Sequence, residues 1–295
     1  MNIACLPHGM RREKNLASIP LKKLRFLEGK QPDEGIVADL HRDDHLICYP
    51  SSRILYRPRP HVRCRISLAL SEPFDGYKQF YRTLPFVSWR FFRVFTHSRR
   101  LLAMLPNGRF LPFGTTWVDT KLDHSRSKTR RMSLIASTRR ELEGHAMRHR
   151  IADWIQQAGQ DVELLGYAYR PLETKTEGLA PHRFSVVIEN SRHSGYFTEK
   201  LLDAFFCDTV PIYWGAPDIS SFFDTRGMIV CETADQIRSA IASLTTADYE
   251  RCMAFMPANR QAALALVDYE GNAANIIRRD VQSAKAESLG IASGT

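Results

Sequence analysis

The 295-residue chain lacks the features of secreted, membrane-spanning and disulfide-bonded proteins. It has no run of about 18 apolar residues, and its opening residues contain no apolar segment of signal-peptide length. Its six cysteines form no CxxC pair and no dense framework, which predicts reduced, buried thiols and no zinc site. We therefore expect a cytoplasmic protein, either free or peripheral at the inner face of the membrane.

Acidic residues are scarce in the first half of the chain. Up to Arg131 there are 25 lysines and arginines against 11 acidic residues, a net charge of +14, whereas the remainder carries −5. This asymmetry indicates an anionic partner, such as a phosphorylated glycolipid or a membrane surface, and a solvated basic face is the alternative interpretation. Residues 89–93, Trp-Arg-Phe-Phe-Arg, fit either a membrane anchor or a buried strand with flanking cations. Nucleic acid is the competing partner. The arginines of the first half do not lie in a recognisable nucleic-acid-binding module, so we expect no nucleic-acid partner.

Residues 183–217 predict a strand, a polar loop, a helix and a second strand. Phe184 to Ile188 and Val210 to Trp214 are apolar runs typical of buried parallel strands. Thr198 is suited to cap the helix, and Lys200 adds a positive charge where the free amides of a helix start favour an anion. The stretch therefore predicts a diphosphate site. The apolar helix positions share one face: Leu201, Leu202, Phe205 and Phe206.

The same stretch resembles the donor-binding motif of the α-1,3/4-fucosyltransferases (glycosyltransferase family ten, bacterial type), inverting enzymes that use GDP-fucose. Three blocks carry the resemblance at the family's spacing: Glu189-Asn190-Ser191, Tyr196 to Lys200, and Val210 to Gly215. Three fixed blocks are far more specific than a lone glycine-rich motif. The resemblance implies a GT-B architecture, in which two Rossmann-like domains face a cleft. Strand-helix alternation in both halves independently predicts this α/β class.

Two domains are the natural expectation for this length. We expect residues 1–125 to form an acceptor-binding α/β domain and residues 126–295 a donor-binding Rossmann-like domain, with a polar linker from Asp119 to Arg131. The first 60 residues remain unassigned. Further predicted elements are strands at Ile66 to Leu70, Phe92 to Thr96 and Ser133 to Ala136, and helices at His145 to Gln157, Thr246 to Val267 and Gly271 to Ala286.

Cations at the departing diphosphate would lower the barrier to sugar transfer, because negative charge grows there as the anomeric bond breaks. Lys200 is the first candidate. Arg148 is the second, because residues 144–155 resemble the family segment in which an arginine at a helix start reaches the diphosphate. Neighbouring Arg150 is the alternative to Arg148.

The resemblance also implies roles for the remaining donor-motif residues. The Glu199 carboxylate would accept hydrogen bonds from the ribose hydroxyls, as an acidic residue does in dinucleotide sites. Asn190 and Tyr196 would contact the phosphates or the sugar; alternatively, they are a strand-end turn and a packed loop aromatic. Glu189 is either a further donor contact or an internal structural carboxylate.

Inversion requires a base that takes the proton of the acceptor hydroxyl on the face opposite the leaving group. The family places a carboxylate of the N-terminal domain there, and Glu72, after the predicted strand Ile66 to Leu70, is the best candidate. Asp75 is the alternative, and a turn acid ahead of Pro73 is the structural interpretation of Glu72. No Asp-x-Asp triplet lies near the donor motif, so we expect no essential divalent metal and no other cofactor.

The sequence thus predicts an inverting glycosyltransferase that transfers fucose from GDP-fucose to a hydroxyl of an oligosaccharide or lipid-linked glycan. One alternative is the same scaffold with another nucleotide sugar. The other is a non-catalytic, basic protein that binds carbohydrate or a membrane. Both Glu199 and Lys200 are present, which favours the enzyme.

Overall fold

The structure, a computed structural model, describes residues 1–11, 13, 15–122, 124 and 128–288. The chain forms two compact units. Unit 1 comprises Met1–Leu111 and the segment that starts at Tyr269, and unit 2 comprises Pro112–Asp268. All six cysteines are buried and free, as the sequence predicted. No helix in the described part of the chain is both long and apolar enough to cross a bilayer.

A six-stranded sheet forms the centre of unit 1. Its strand order is β2-β1-β3-β4-β5-β6; the β1–β2 pair is antiparallel and the other neighbouring pairs are parallel. The strands are β1 (Ile3–Cys5), β2 (Arg25–Glu28), β3 (His45–Cys48), β4 (Arg65–Ala69), β5 (Val94–Thr96) and β6 (Gly108–Phe110). The helices before unit 2 are α1 (Ser52–Tyr56), α2 (Phe74–Val87) and α3 (Arg99–Leu102).

A five-stranded parallel sheet forms the centre of unit 2, in the order β11-β10-β9-β7-β8. Its strands are β7 (Arg130–Ile135), β8 (Glu163–Leu165), β9 (His182–Ile188), β10 (Val210–Trp214) and β11 (Ile229–Val230). Its helices are α4 (Glu143–Gln157), α5 (Lys175–Leu179), α6 (Glu199–Phe206), α7 (Ala234–Ser243), α8 (Thr246–Met253) and α9 (Met256–Leu264). Both units confirm the predicted α/β class.

The central strands of unit 2 lie where the apolar runs predicted them. β10 has the predicted bounds and is buried throughout, because helices cover both faces of a doubly wound parallel sheet. The single helix predicted from Thr246 to Val267 is instead two helices, α8 and α9. The chain breaks between them at Ala254 and Phe255, and Pro257 opens the second helix.

The last helix, α10 (Tyr269–Ser288), belongs to unit 1, whereas the sequence analysis placed these residues in the C-terminal domain. Tyr49 donates its hydroxyl hydrogen to Glu270 Oε1 at 2.9 Å, and Asp280 accepts hydrogen bonds from both Arg93 and Arg109. The structure therefore divides the chain at Leu111 and Asp268, where the sequence predicted one division at residue 125. Residues 123, 125–127 and 289–295, which include part of the predicted linker, lie outside the described residues.

Candidate functional site

The carboxyl end of β9 meets the start of α6 through a buried carboxylate. The Glu189 side chain has no exposed surface, and both of its oxygens accept hydrogen bonds from Thr198, one from the backbone N–H and one from the hydroxyl, each at 2.8 Å. Burial raises the pKa of Glu189, while Lys200 and the Thr198 bonds oppose the rise. This pair fixes the loop between strand and helix.

Thr198 in turn caps α6. Its side-chain oxygen accepts from the Lys200 N–H at 3.4 Å and from Lys200 Nζ at 3.0 Å. Lys200 Nζ also lies 3.0 Å from Glu199 Oε1 and 3.8 Å from Glu189 Oε2, and its side chain is 22% exposed. The free amides of the helix start and a partly exposed ammonium thus occur together, which is an arrangement that attracts an anion.

Glu199 is the second charged group at this helix start. Its side chain is 16% exposed. Burial raises the pKa of Glu199, but Lys200 and, more weakly, Lys175 outweigh that effect and hold the pKa below its usual range. Glu199 is therefore an ionised hydrogen-bond acceptor at neutral pH.

Arg148 extends from α4 to the end of β9. Its Nε donates to the Ile188 carbonyl at 2.8 Å and its Nη2 donates to Asn190 Oδ1 at 2.7 Å. The residue is 5% exposed, and burial lowers its pKa, opposed by the charge of Glu189. Arg150, the alternative cation, is exposed. The structure thus brings Arg148 together with the donor motif and leaves Arg150 in solvent.

Two glycines permit this close packing around Glu189. A Cβ at Gly144, the second residue of α4, would lie 1.7 Å from the Glu189 carbonyl oxygen. A Cβ at Gly215, directly after β10, would lie 2.8 Å from Glu189 Cγ and 2.3 Å from the Tyr213 hydroxyl. Both positions therefore require glycine, because any side chain would push the helix or the loop away from the strand end.

The other predicted site residues occupy different settings. Tyr196 is 1% exposed, whereas Asn190 is half-buried and shares its Oδ1 between Arg148 and His145 Nε2, the latter at 3.1 Å. Glu72 and Asp75 are half-buried in unit 1, between β4 and the first turn of α2. The Tyr81 hydroxyl donates to the Glu72 carbonyl at 3.1 Å and so holds this turn on the helix.

Two charged residues near the donor motif were missed by sequence analysis. Asp203, on α6, is 1% exposed and accepts from the Thr116 hydroxyl at 2.6 Å and from the Trp117 N–H at 3.1 Å. Burial raises its pKa to about 7. Burial and the nearby Lys200 lower the pKa of Lys175. Lys175 is brought to the site by the packing of a distant segment, and the burial of Asp203 depends on its contacts with the distant Thr116 and Trp117, so no local pattern could have revealed these properties.

Among the residues that the structure describes, no group of three or more histidine, cysteine, aspartate or glutamate side chains is placed to hold a metal ion. Three positive side chains interact with the motif carboxylates: Arg148, Lys175 and Lys200. They face two carboxylates, Glu189 and Glu199. The three positive charges exceed the two negative charges by one, so the local field favours an anion.

Comparison with known proteins agrees with this geometry. Residues 125–252 match the model of a family described as glycosyltransferase family 10 (fucosyltransferase), C-terminal part. The alpha-(1,3)-fucosyltransferase FucT of Helicobacter pylori is 38% identical over 65 residues, which is 22% of this chain and 13% of that protein. The matched segment thus spans a small part of the relative's length.

Solved structures show the fold. A crystal structure of an alpha1,3-fucosyltransferase with GDP has a TM-score of 0.50 at 15% identity and covers 83% of this chain and 80% of its own. A variant of S. aureus TarM, in complex with fondaparinux, alpha-GlcNAc-glycerol and UDP, has a TM-score of 0.52 at 11% identity and covers 79% and 54%. These likenesses confirm the GT-B fold class. The segment 125–252, which contains the Glu189–Thr198–Lys200 constellation, is thus similar to the C-terminal part of the fucosyltransferase family 10 of the glycosyltransferases.

Proposed function

We propose that this chain is an inverting glycosyltransferase that transfers fucose from GDP-fucose to a hydroxyl group of an oligosaccharide or lipid-linked glycan. The observation that carries the proposal is the start of α6, where Lys200 and the free helix amides adjoin an ionised Glu199 at the end of a parallel strand. The family of residues 125–252 and the name of the H. pylori relative support fucose as the transferred sugar. The GDP complex of the fold relative supports guanosine diphosphate as its carrier.

In this proposal, the cations stabilise the leaving group. Lys200 binds the diphosphate directly, because its partly exposed ammonium lies at the helix start. Arg148 is the more rigid of the two, since hydrogen bonds to Ile188 and Asn190 hold its guanidinium. Fixed positive groups cost little reorganisation when negative charge develops on the phosphate, and they therefore lower the barrier.

The acidic and neutral polar residues divide between binding and positioning. Glu199 accepts hydrogen bonds from the ribose hydroxyls, as its ionised state at neutral pH allows. Asn190 contacts the phosphates or the sugar from a half-buried position, and Tyr196 supports the loop. Glu189 is too deeply buried to serve the donor from its side chain, and its two bonds to Thr198 make it a positioning residue.

The acceptor hydroxyl must lose its proton during a single displacement that inverts the anomeric carbon. We propose Glu72 as the base and Asp75 as the alternative, both in unit 1, which would then be the acceptor-binding unit. Basic groups would neutralise the diphosphate without an essential divalent ion. The six free cysteines fit a reducing compartment such as the cytoplasm.

A nucleotide panel tests the donor. We expect GDP to raise the melting temperature of the full chain more than UDP, ADP or CMP, because ligands that bind only the folded state stabilise it. Incubation with GDP-fucose and a glycan acceptor should release GDP and form a fucosylated product. A preference for another nucleotide would assign a different sugar donor. A chain that responds to none of the four nucleotides would be a non-catalytic binding protein.

A further inference from the structure

An exposed stripe of aromatic and basic side chains runs along α2. Phe86 is 80% exposed and Trp89, in the turn that follows the helix, is 78% exposed. Lys78 and Arg82 are also exposed and precede Phe86 at intervals of four residues, so the three share one helix face. The opposite face is buried through Tyr81 and Leu84. We call the four residues Lys78, Arg82, Phe86 and Trp89 the α2 stripe.

A basic groove of about 560 Å³ adjoins the stripe, because Trp89 is part of its wall. Three arginines line it together with aromatic rings, and each guanidinium lies over a ring. Arg59 lies 5.2 Å from the centroid of Phe91, Arg65 lies 5.3 Å from that of Phe92, and Arg90 lies 5.9 Å from that of Trp89.

The three arginines of the groove, Arg59, Arg65 and Arg90, are held by groups other than carboxylates. Arg59 donates to the Arg90 carbonyl at 2.9 Å and Arg90 donates to the Arg57 carbonyl at 2.6 Å, so backbone oxygens hold these side chains in place. Within the described ranges, no carboxylate forms an ion pair with Arg59, Arg65 or Arg90. Such prepositioned guanidinium groups are suited to bind phosphate.

The surrounding sequence adds a field of the same sign. From His45 to Leu111 the chain contains twelve lysines and arginines but only two acidic residues, Glu72 and Asp75. Asp280 pairs with two of those cations, Arg93 and Arg109, from α10. Most of the remaining positive charge faces solvent, so this part of unit 1 attracts anionic surfaces.

We propose that the α2 stripe and the adjoining groove dock unit 1 on a bilayer that contains anionic phospholipids. Phe86 and Trp89 would enter the interfacial layer, where aromatic rings are favoured, while Lys78 and Arg82 remain at headgroup level. The groove arginines would bind a lipid phosphate. A bilayer satisfies both parts of the surface, because it offers an apolar layer beneath a sheet of negative charge. This proposal goes beyond the proposed activity and stands independently of the donor and acceptor.

Vesicle sedimentation with the full chain tests the proposal. We expect binding to phosphatidylcholine vesicles only when they also contain phosphatidylglycerol, and we expect it to weaken as salt screens the charges. Changing Lys78→Gln together with Arg82→Gln should weaken partitioning about twenty-five-fold, since each cation near an anionic surface contributes about a fivefold factor. The matched control is Lys22→Gln with Lys23→Gln, an exposed pair on another turn of unit 1, which should bind like the unchanged chain.

The aromatic side chains need a separate readout. Phe86→Ser with Trp89→Ser should weaken binding at least about tenfold, whereas Tyr167→Ser, at an 84% exposed position in unit 2, should not. Vesicles should shift the tryptophan emission of the unchanged chain to shorter wavelength, and Trp89→Phe should abolish most of that shift. Soluble glycerol phosphate should not compete with vesicles, because it offers no apolar layer.

Several results would overturn the proposal. One is equal binding to vesicles with and without phosphatidylglycerol. The others are unchanged vesicle binding by the α2 stripe variants, and control variants that lose as much binding as the stripe variants. Binding of single-stranded nucleic acid through the same residues, with no vesicle binding, would assign the surface to another partner. Measured GDP affinity in each variant shows that unit 2 is intact. If neither the unchanged chain nor any variant binds GDP, the proposed function is refuted, but the vesicle test is unaffected.

Discussion

The Glu189 carboxylate holds Thr198 through both hydrogen-bond donors of that residue, the backbone N–H and the hydroxyl, each at 2.8 Å. Since Thr198 caps α6, the placement of Lys200 depends on this pair. Glu189→Ala would leave two buried donors without an acceptor, which costs about 1–3 kcal/mol for each group. We therefore expect a clear loss of unfolding free energy in denaturant and weaker GDP binding by calorimetry.

The Glu189→Gln variant provides the comparison. Its amide keeps one acceptor oxygen and the shape of the side chain but removes the negative charge near Lys200. It should fall between the unchanged chain and Glu189→Ala in both measurements. Glu173→Gln, at an exposed position, is the control. Unchanged stability and GDP affinity in Glu189→Ala would contradict the positioning role.

Lys200→Ala should fold but bind GDP more weakly and turn over at least about a hundredfold more slowly, which is the scale for loss of a charge-stabilising group. The reason is its position at the start of α6 with a partly exposed ammonium. Calorimetry with GDP and a transfer assay measure the two effects. Lys121→Ala, an exposed lysine of unit 2, should behave like the unchanged chain. A folded Lys200→Ala protein with full GDP affinity would refute the phosphate assignment.

Excess chelator should leave transfer from GDP-fucose largely intact, because Arg148 and Lys200 would carry the positive charge that a bridging ion supplies elsewhere. Initial rates with and without chelator, using metal-stripped buffers, give the comparison. Added divalent ions are expected to change the rate only modestly. Complete loss of activity in chelator that is reversed by a divalent ion would show that the metal is essential.

Glu72→Gln should preserve GDP binding and lower transfer by about 10²- to 10⁴-fold, the range for removal of a positioned base. Glutamine keeps the size and polarity of the side chain but cannot accept the acceptor proton at neutral pH. Asp75→Asn, three residues further along, is the matched variant. Normal transfer by Glu72→Gln with an inactive Asp75→Asn would assign the base to Asp75. Normal transfer by both variants would show that the base lies elsewhere.

The raised pKa of Asp203 should make the stability of the folded chain depend on pH. Burial raises its pKa in the folded chain to about 7, whereas an unfolded aspartate titrates near pH 4. Below about pH 4 both states are protonated; between about pH 4 and 7 only the unfolded state loses its proton, so stability falls as the pH rises. By pH 7 this titration lowers the free energy of unfolding by an amount on the order of a few kcal/mol, and the effect changes little at higher pH.

The Asp203→Asn variant isolates this titration. Its Oδ1 can still accept from Thr116 and Trp117, but the side chain is neutral at every pH. We expect the variant to gain stability relative to the unchanged chain as the pH rises from about 4 to 7, measured by urea unfolding at several pH values. Parallel stability curves for the two proteins would contradict the raised pKa. Asp203→Ala should be less stable at all pH values because it loses both bonds.

Local patterns predicted the elements that carry their signals within a few residues. The buried run of β10 and the Thr198 cap of α6 are correct to the residue, because period, apolar content and capping chemistry all lie within one short segment. The capping box of Thr233 and Gln236 at the start of α7 is a local signal of the same kind. The donor motif could therefore be placed between a strand and a helix before any coordinates were known.

Long-range contacts could not be predicted in this way. The short strands β1, β2 and β3 lie in the stretch that the sequence left unassigned, and each is only three or four residues long. The double bond of Glu189 to Thr198 and the clearance at Gly144 depend on three elements that meet in space. The hydrogen bond from Thr116 to Asp203 joins residues that lie 87 positions apart in the sequence.

The return of α10 to unit 1 affects the order in which the chain can fold during synthesis. Unit 2 is one continuous segment, whereas unit 1 is assembled from two segments that enclose it in the sequence. Asp280, which pairs with Arg93 and Arg109, leaves the ribosome only after all of unit 2 has been made. Unit 2 can therefore complete its core first, whereas the sheet of unit 1 can pack against α10 only after the whole of unit 2 has been synthesised.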